Sequence, residues 1–230
     1  MGGSAGSLAG AGGDAGAALG GEGGESGEGG VAGAGGQPEP ACASAVEATL
    51  AVLLDTWIEQ AFPNAGHGSD ARLSVVGGQS ERRALVQLSL PVLPPGAVLL
   101  EASLELNLEV NSDASATKRR LALHRLLRPV SESKTTWRQF VNGAGGDWAL
   151  AGGDFAAEAG EATLPAGTTS GALLIDAAPA LSAVFASELE VSLLVREVGE
   201  PPSASAFLGF TSREGTPARA PRLHVRYCPP

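Results

Sequence analysis

The sequence predicts an all-β domain: an antiparallel β-sandwich of the jelly-roll kind with one short helix, behind a disordered Gly-rich tail. Three observations carry this. From about residue 46 onward, segments that alternate apolar with polar residues recur along the chain. Strong turn signals separate them, and a helical period appears once, briefly.

From Met1 to Gly36 the chain is almost wholly Gly, Ala, Ser and Glu, as in "GGEGGESGEGGVAGAGG". Nothing there is large enough to repay the entropy of ordering it, so residues 1–40 read as a flexible spacer. The closely spaced prolines of "QPEPAC" stiffen its exit toward polyproline geometry. The folded domain is expected over 41–230.

The clearest strand is "EASLELNLEV". Ala102, Leu104, Leu106, Leu108 and Val110 face one way, and Glu101, Ser103, Glu105, Asn107 and Glu109 face the other. The same period runs through "ALVQLSL" (Val86, Leu88, Leu90), "ELEVSLLVREV" (Leu189, Val191, Leu193, Val195) and "RLHVRY" (Leu223, Val225, Tyr227). Further strands are expected in "ATLAVLLDTWI", "ARLSVV", "RRLALHRLL", "GALLI" and "AFLGFTS". The segments "FPNAGHGSD", "VLPPGA", "VNGAGGDW", "VGEPPS" and "REGTPARAP" supply the turns. The helical period falls in "DAAPALSAVFAS". An up-and-down barrel is the alternative architecture, and periodicity does not separate the two.

Two cysteines, Cys42 and Cys228, bracket the folded part. Metal and redox motifs need closer spacing. If the first and last strands are sheet neighbours, a bridge staples the domain shut and contributes up to roughly 5 kcal/mol through the unfolded chain's entropy. The alternative is two free thiols in a reducing compartment. A disulfide favours an oxidising location.

Half of the net charge of -10 belongs to the tail, through Asp14, Glu22, Glu25, Glu28 and Glu39. The remainder is mildly acidic, with no basic run, which weighs against nucleic acid. No apolar stretch reaches the 18 or more residues of a membrane helix. The N-terminus lacks the basic start and apolar core of a signal peptide, which literally reads as cytoplasmic. A Gly/Ala/Ser/Glu spacer ahead of a cysteine-bracketed domain points instead to the stalk of an extracellular or cell-surface protein, the chain then being either a processed piece or one whose start lies upstream, and the domain is expected to be monomeric.

No Gly-x-Ser-x-Gly elbow at a strand end, His-Glu-x-x-His helix or phosphate loop is present, so the sequence predicts no enzyme. His67, His124 and His224 are far apart in sequence and read as solvated or structurally hydrogen-bonded. No cofactor is expected; Asp147 and Asp154 are the carboxylates nearest to a calcium set, and one pair is too few.

The connecting segments carry a resemblance. "DTWIEQAFPNAGHGSDARLSVVGG", "RRALVQLSLPVLPPGAVLLEASLEL", "TTW" at Thr135 to Trp137, "DWALAGGDF" and "FTSREGTPARAPRLHVRY" follow one another in the order seen in DNRLRE-type (disaggregatase-related) domains. The resemblance covers about residues 46–227. Such domains are similar to a carbohydrate-binding module family with alginate-binding members on polysaccharide lyases, and occur on extracellular and surface proteins. The resemblance therefore implies a β-sandwich and a polysaccharide partner. Where that family often carries a Trp-and-Glu element before its "TW", this chain has "RPVSESKTTW", with no Trp.

A sugar face stacks on an exposed indole, and a uronate pairs with a guanidinium or ammonium. Trp137 with Arg138, and Trp148 in its glycine loop, are the leading ligand candidates, followed by Trp57, Arg82 and Lys118. Arg83, Arg119 and Arg213 are further cations in reach of an acidic sugar. The competing view is that the tryptophans plug the ends of the sandwich, that strand-face cations are merely solvated, and that Arg213 pairs with Glu214 at the last turn. Three functions follow: a non-catalytic polysaccharide-binding module, a structural or adhesion spacer, or a lyase. The last would need a base such as Tyr, and the single Tyr227 is expected to face the core.

Overall fold

The computed structural model describes residues 42, 44–93, 96–114, 118–141, 143, 145–199, 203 and 206–230. The chain divides into Met1–Pro40 and Ala41–Pro230. The expected disordered tail lies outside the described residues, and all that follows concerns the second unit.

Ten strands and one short helix run in the order β1 (Val46–Glu59), β2 (Arg72–Val75), β3 (Arg82–Ser89), β4 (Val98–Asn111), β5 (Arg119–Leu126), β6 (Phe155–Leu164), β7 (Gly171–Asp176), α1 (Ala178–Leu181), β8 (Glu190–Val198), β9 (Leu208–Thr211) and β10 (Arg222–Cys228). Every ladder is antiparallel. The long strand β1 belongs to two layers. Its first half, Val46 to Ala51, pairs with β10, and its second half, Val52 to Glu59, pairs with β3 after a bulge between Val52 and Leu54.

One layer holds β7 on one edge of β4, with β10 and β9 end to end along the other edge. Outside them lie β1 and β2. The other layer runs β1, β3, β8, β5, β6. Across the open side the edges β6 and β7 approach closely: a Cβ on Gly160 would lie 1.8 Å from the Asp176 carbonyl oxygen. No ladder joins these two strands among the described residues, so the sheet folds over as a sandwich and does not close as a barrel.

Between the layers lies a core of Leu, Val and Ala, with Phe185 and Phe210 as its large fully buried rings. The alternation of β4 emerges as expected, with Ala102, Leu104, Leu106 and Leu108 inside. The helix is a single turn carrying Ala180 and Leu181 into the core. Asp176 Oδ1 accepts the Ala178 N–H at its start, and Val184 and Phe185 continue the buried period in the turns that follow.

The layer containing β3 and β8 differs from a half-buried sheet. Leu85, Leu194, Ile58 and Leu126 point away from the main core into a second cluster with Val130, Trp137 and Trp148. The segment between β5 and β6, residues 127–154, therefore lies over the outer face of this layer, which is why "RRALVQLSL" and "SLLV" are apolar on both sides.

Cys42 and Cys228 form a disulfide, with Cα atoms 5.6 Å apart. The first and last strands are neighbours, with Val46 opposite Tyr227, as the bridge requires. Tyr227 packs against the core and Phe185.

Candidate functional site

The chemistry collects where three segments meet the second half of β1: the connection from β1 to β2, residues 60–71; the segment between β5 and β6; and the turn after β9. Glycine permits this convergence. A Cβ on Gly68 would lie 1.8 Å from the Glu132 carbonyl oxygen, and one on Gly215 would lie 2.7 Å from that of Ala71. Ser212 Oγ donates to the Asp70 carbonyl oxygen at 2.6 Å, tying the last turn to the first.

Asp55, on β1, is 1% exposed. Its Oδ2 accepts the Arg213 backbone N–H at 2.9 Å, while its buried Oδ1 has no hydrogen-bond partner. One oxygen each from Asp55, Glu132 and Glu214 lie within 4.8 Å of one another. The Arg213 guanidinium reaches Glu132 at 2.6 Å and Glu214 at 3.2 Å, so the expected Arg213–Glu214 pair is present and extended by a second carboxylate. Burial pushes the Asp55 carboxyl up to about 7; the Arg213 N–H opposes the shift and the neighbouring Glu214 adds to it.

All three tryptophans are buried, at 8% exposure for Trp57, 7% for Trp137 and 5% for Trp148. Trp57 donates Nε1–H to Asp70 Oδ2 at 3.0 Å and stacks on His67, with centroids 3.5 Å apart. Trp137 lies against the Arg83 guanidinium, 4.7 Å from its ring centre, and Trp148 donates Nε1–H to the Thr136 carbonyl oxygen. Their rings are packed into the protein, so the expected stacking of a sugar on an exposed indole has no open ring face to use.

The cations divide. Arg82 pairs with Glu59 at 3.3 Å and lies over Trp57; Arg83 pairs with Glu81 at 2.6 Å; Arg119 grips Glu197 through two nitrogens at 2.6 and 2.7 Å. Arg138 and Lys118 are exposed and, among the described residues, have no carboxylate partner. Arg138 lies in a groove with Asn64, Gln139, Asp147, Trp148 and Ala151. Arg138 and Trp148 are thus brought together, whereas Trp57, Arg82 and Lys118 do not line that groove.

Asp147 accepts from Gln139 Nε2 at 2.9 Å, and Asp154 accepts the Ala149 and Leu150 N–H groups. Both carboxylates expected nearest to a calcium set thus accept hydrogen bonds from neighbouring protein groups.

Periodicity did not reveal the relay on the outer face of the other layer. Thr49 Oγ1 lies 3.1 Å from His224 Nδ1, and His224 Nε2 lies 2.7 Å from Glu105 Oε2. The order of groups is that of a nucleophile, a base and an orienting acid. The surrounding backbone is committed to the β1, β10 and β4 ladders, leaving no converging N–H pair for an oxyanion. His67 is held between Glu59 and Asp70, and His124 by the Ala156 carbonyl oxygen.

Fold and geometry together define an antiparallel β-sandwich closed by a terminal disulfide. No family model matches the chain, and no curated protein matches it. Among solved structures it is similar to the VP1 pentamer of Human Polyomavirus 6, at 10% identity and a TM-score of 0.26 over 80% of this chain and 93% of that one. A likeness of that size carries no argument about function.

Proposed function

We propose that the folded domain is a non-catalytic, extracellular carbohydrate-binding module that takes polysaccharide, acidic chains such as alginate included, through the groove at Arg138. The observation that carries this is a guanidinium without an ionic partner among the described residues, set beside the amides of Asn64 and Gln139 and the carboxylate of Asp147. A uronate carboxylate pairs with a free guanidinium, and sugar hydroxyls pair with amides and carboxylates. Recognition there is by hydrogen bonds, not by ring stacking. The resemblance to DNRLRE-type domains supports the same ligand class, and a terminal disulfide suits an oxidising location.

Affinity electrophoresis through alginate and neutral polysaccharides tests the reading. Retardation is expected, and Arg138→Ala should abolish it on alginate without changing the melting temperature. A second reading, a structural or adhesion spacer without a sugar site, is favoured by the burial of all three tryptophans. Absence of retardation by any glycan, from folded protein, would select it.

A further inference from the structure

We propose that Asp55, Glu132 and Glu214 form a calcium site that clamps the turn after β9 and the segment before Trp137 onto β1. Three carboxylates give one oxygen each within 4.8 Å of one another. Like charges gathered this closely repel unless a proton or a cation lies between them, and the Arg213 guanidinium supplies only one positive charge. With all three carboxylates ionised, as metal coordination requires, three negative charges against one positive leave two, the charge of a single divalent ion.

A second observation is independent of the clustering. Asp55 is 1% exposed, and its Oδ1 is buried without any hydrogen-bond donor. A buried carboxylate oxygen left unpaired is costly, and a coordinated cation removes that cost. Arg213 contacts Oε1 of Glu132 and Oε1 of Glu214, leaving each of these carboxylates its second oxygen for a metal.

The donor set is all oxygen and lacks the imidazole and thiolate that favour zinc. Calcium accepts irregular sets of six to eight oxygens at about 2.3–2.6 Å, with water filling the places that protein does not. Glu132 and Glu214 are partly open to solvent, which gives an ion its way in. The three ligands come from distant parts of the chain, residues 55, 132 and 214, so the ion would reinforce a junction that Arg213 already makes through its backbone N–H to Asp55 and its guanidinium to Glu132.

The test is calcium equilibrium dialysis and thermal melting of the full oxidised chain, with Asp55→Asn and Glu214→Gln beside it. One calcium per chain at up to millimolar concentration, a melting temperature several degrees higher with calcium than with chelator, and at least tenfold weaker binding in both variants are expected. Glu214 is exposed, so its variant decides the matter even if Asp55→Asn does not fold. No saturable binding would overturn the proposal. So would binding that Glu214→Gln leaves unchanged, since that would place the ion elsewhere, for instance on the acidic tail.

Discussion

At the scale of single residues, Asp55 is where folding and ionisation conflict most. Its carboxyl is raised to about 7 when folded, chiefly by burial, and returns to about 3.9 in the unfolded chain. Between those values the folded form holds a proton that the unfolded form has lost. This contribution to stability is therefore full below about pH 4 and is lost as pH rises through 7. Glu101, Glu105 and Glu109 act oppositely: hydrogen bonds from Arg226, His224 and Thr211 lower their values, so their contribution is lost in acid. In chelator, the wild-type melting temperature should fall between pH 5 and pH 8, and Asp55→Asn should flatten most of that fall. An equally steep fall in the variant would place the titrating group elsewhere. The cluster was half legible in sequence. "SRE" announced its ion pair through adjacency, but neither Glu132 nor Asp55 carries a local signal that it will face Arg213. Only the fold brings residues 55, 132 and 213 together.

At the scale of elements, alternation revealed the strands that bury one face of large residues and missed β6. "FAAEAGEATL" has Ala and Gly where a strand normally shows Val or Leu, because β6 lies too close to β7 for larger groups. Ala159 and Ala162 touch the core, and Gly160 lies under the Asp176 carbonyl oxygen. Gly160→Ala would place its new methyl 1.8 Å from that backbone oxygen, so one strand must shift, and about 1–3 kcal/mol of stability should be lost. Urea titration checks this; an unchanged midpoint would mean that the β6–β7 edge is slack. The tryptophans, open in sequence between ligand platform and plug, are buried for a related reason. Glycine-rich surroundings suggested an exposed loop, whereas Gly152 and Gly146 let residues 127–154 lie flat, with Gly152 against the Trp137 ring and Gly146 against the Val141 carbonyl oxygen. The same indole that stacks on a sugar when exposed serves as a plug when a neighbouring sheet offers Leu85 and Leu194.

At the scale of the whole molecule, β1 is the member shared by both layers, and the disulfide fixes the far end of its partner strand. Opening the bridge leaves the native contacts in place, because six residue pairs from Val46–Tyr227 to Ala51–Arg222 still hold β1 against β10. The loss falls on the unfolded state, which regains the freedom of a loop with a sequence separation of 186. The chain-entropy account gives up to roughly 5 kcal/mol for a loop of this order. That is a third or more of the about 5–15 kcal/mol by which domains are usually stable. The Cys42→Ser, Cys228→Ser protein should therefore keep its far-ultraviolet spectrum at low temperature and melt well below the wild type. Dithiothreitol should lower the wild type to the same temperature and leave the double variant unmoved. If the reduced and oxidised proteins melt together, the unfolded chain is already compact enough that the cross-link removes little. The stability would then reside in the two cores and in the strand they share.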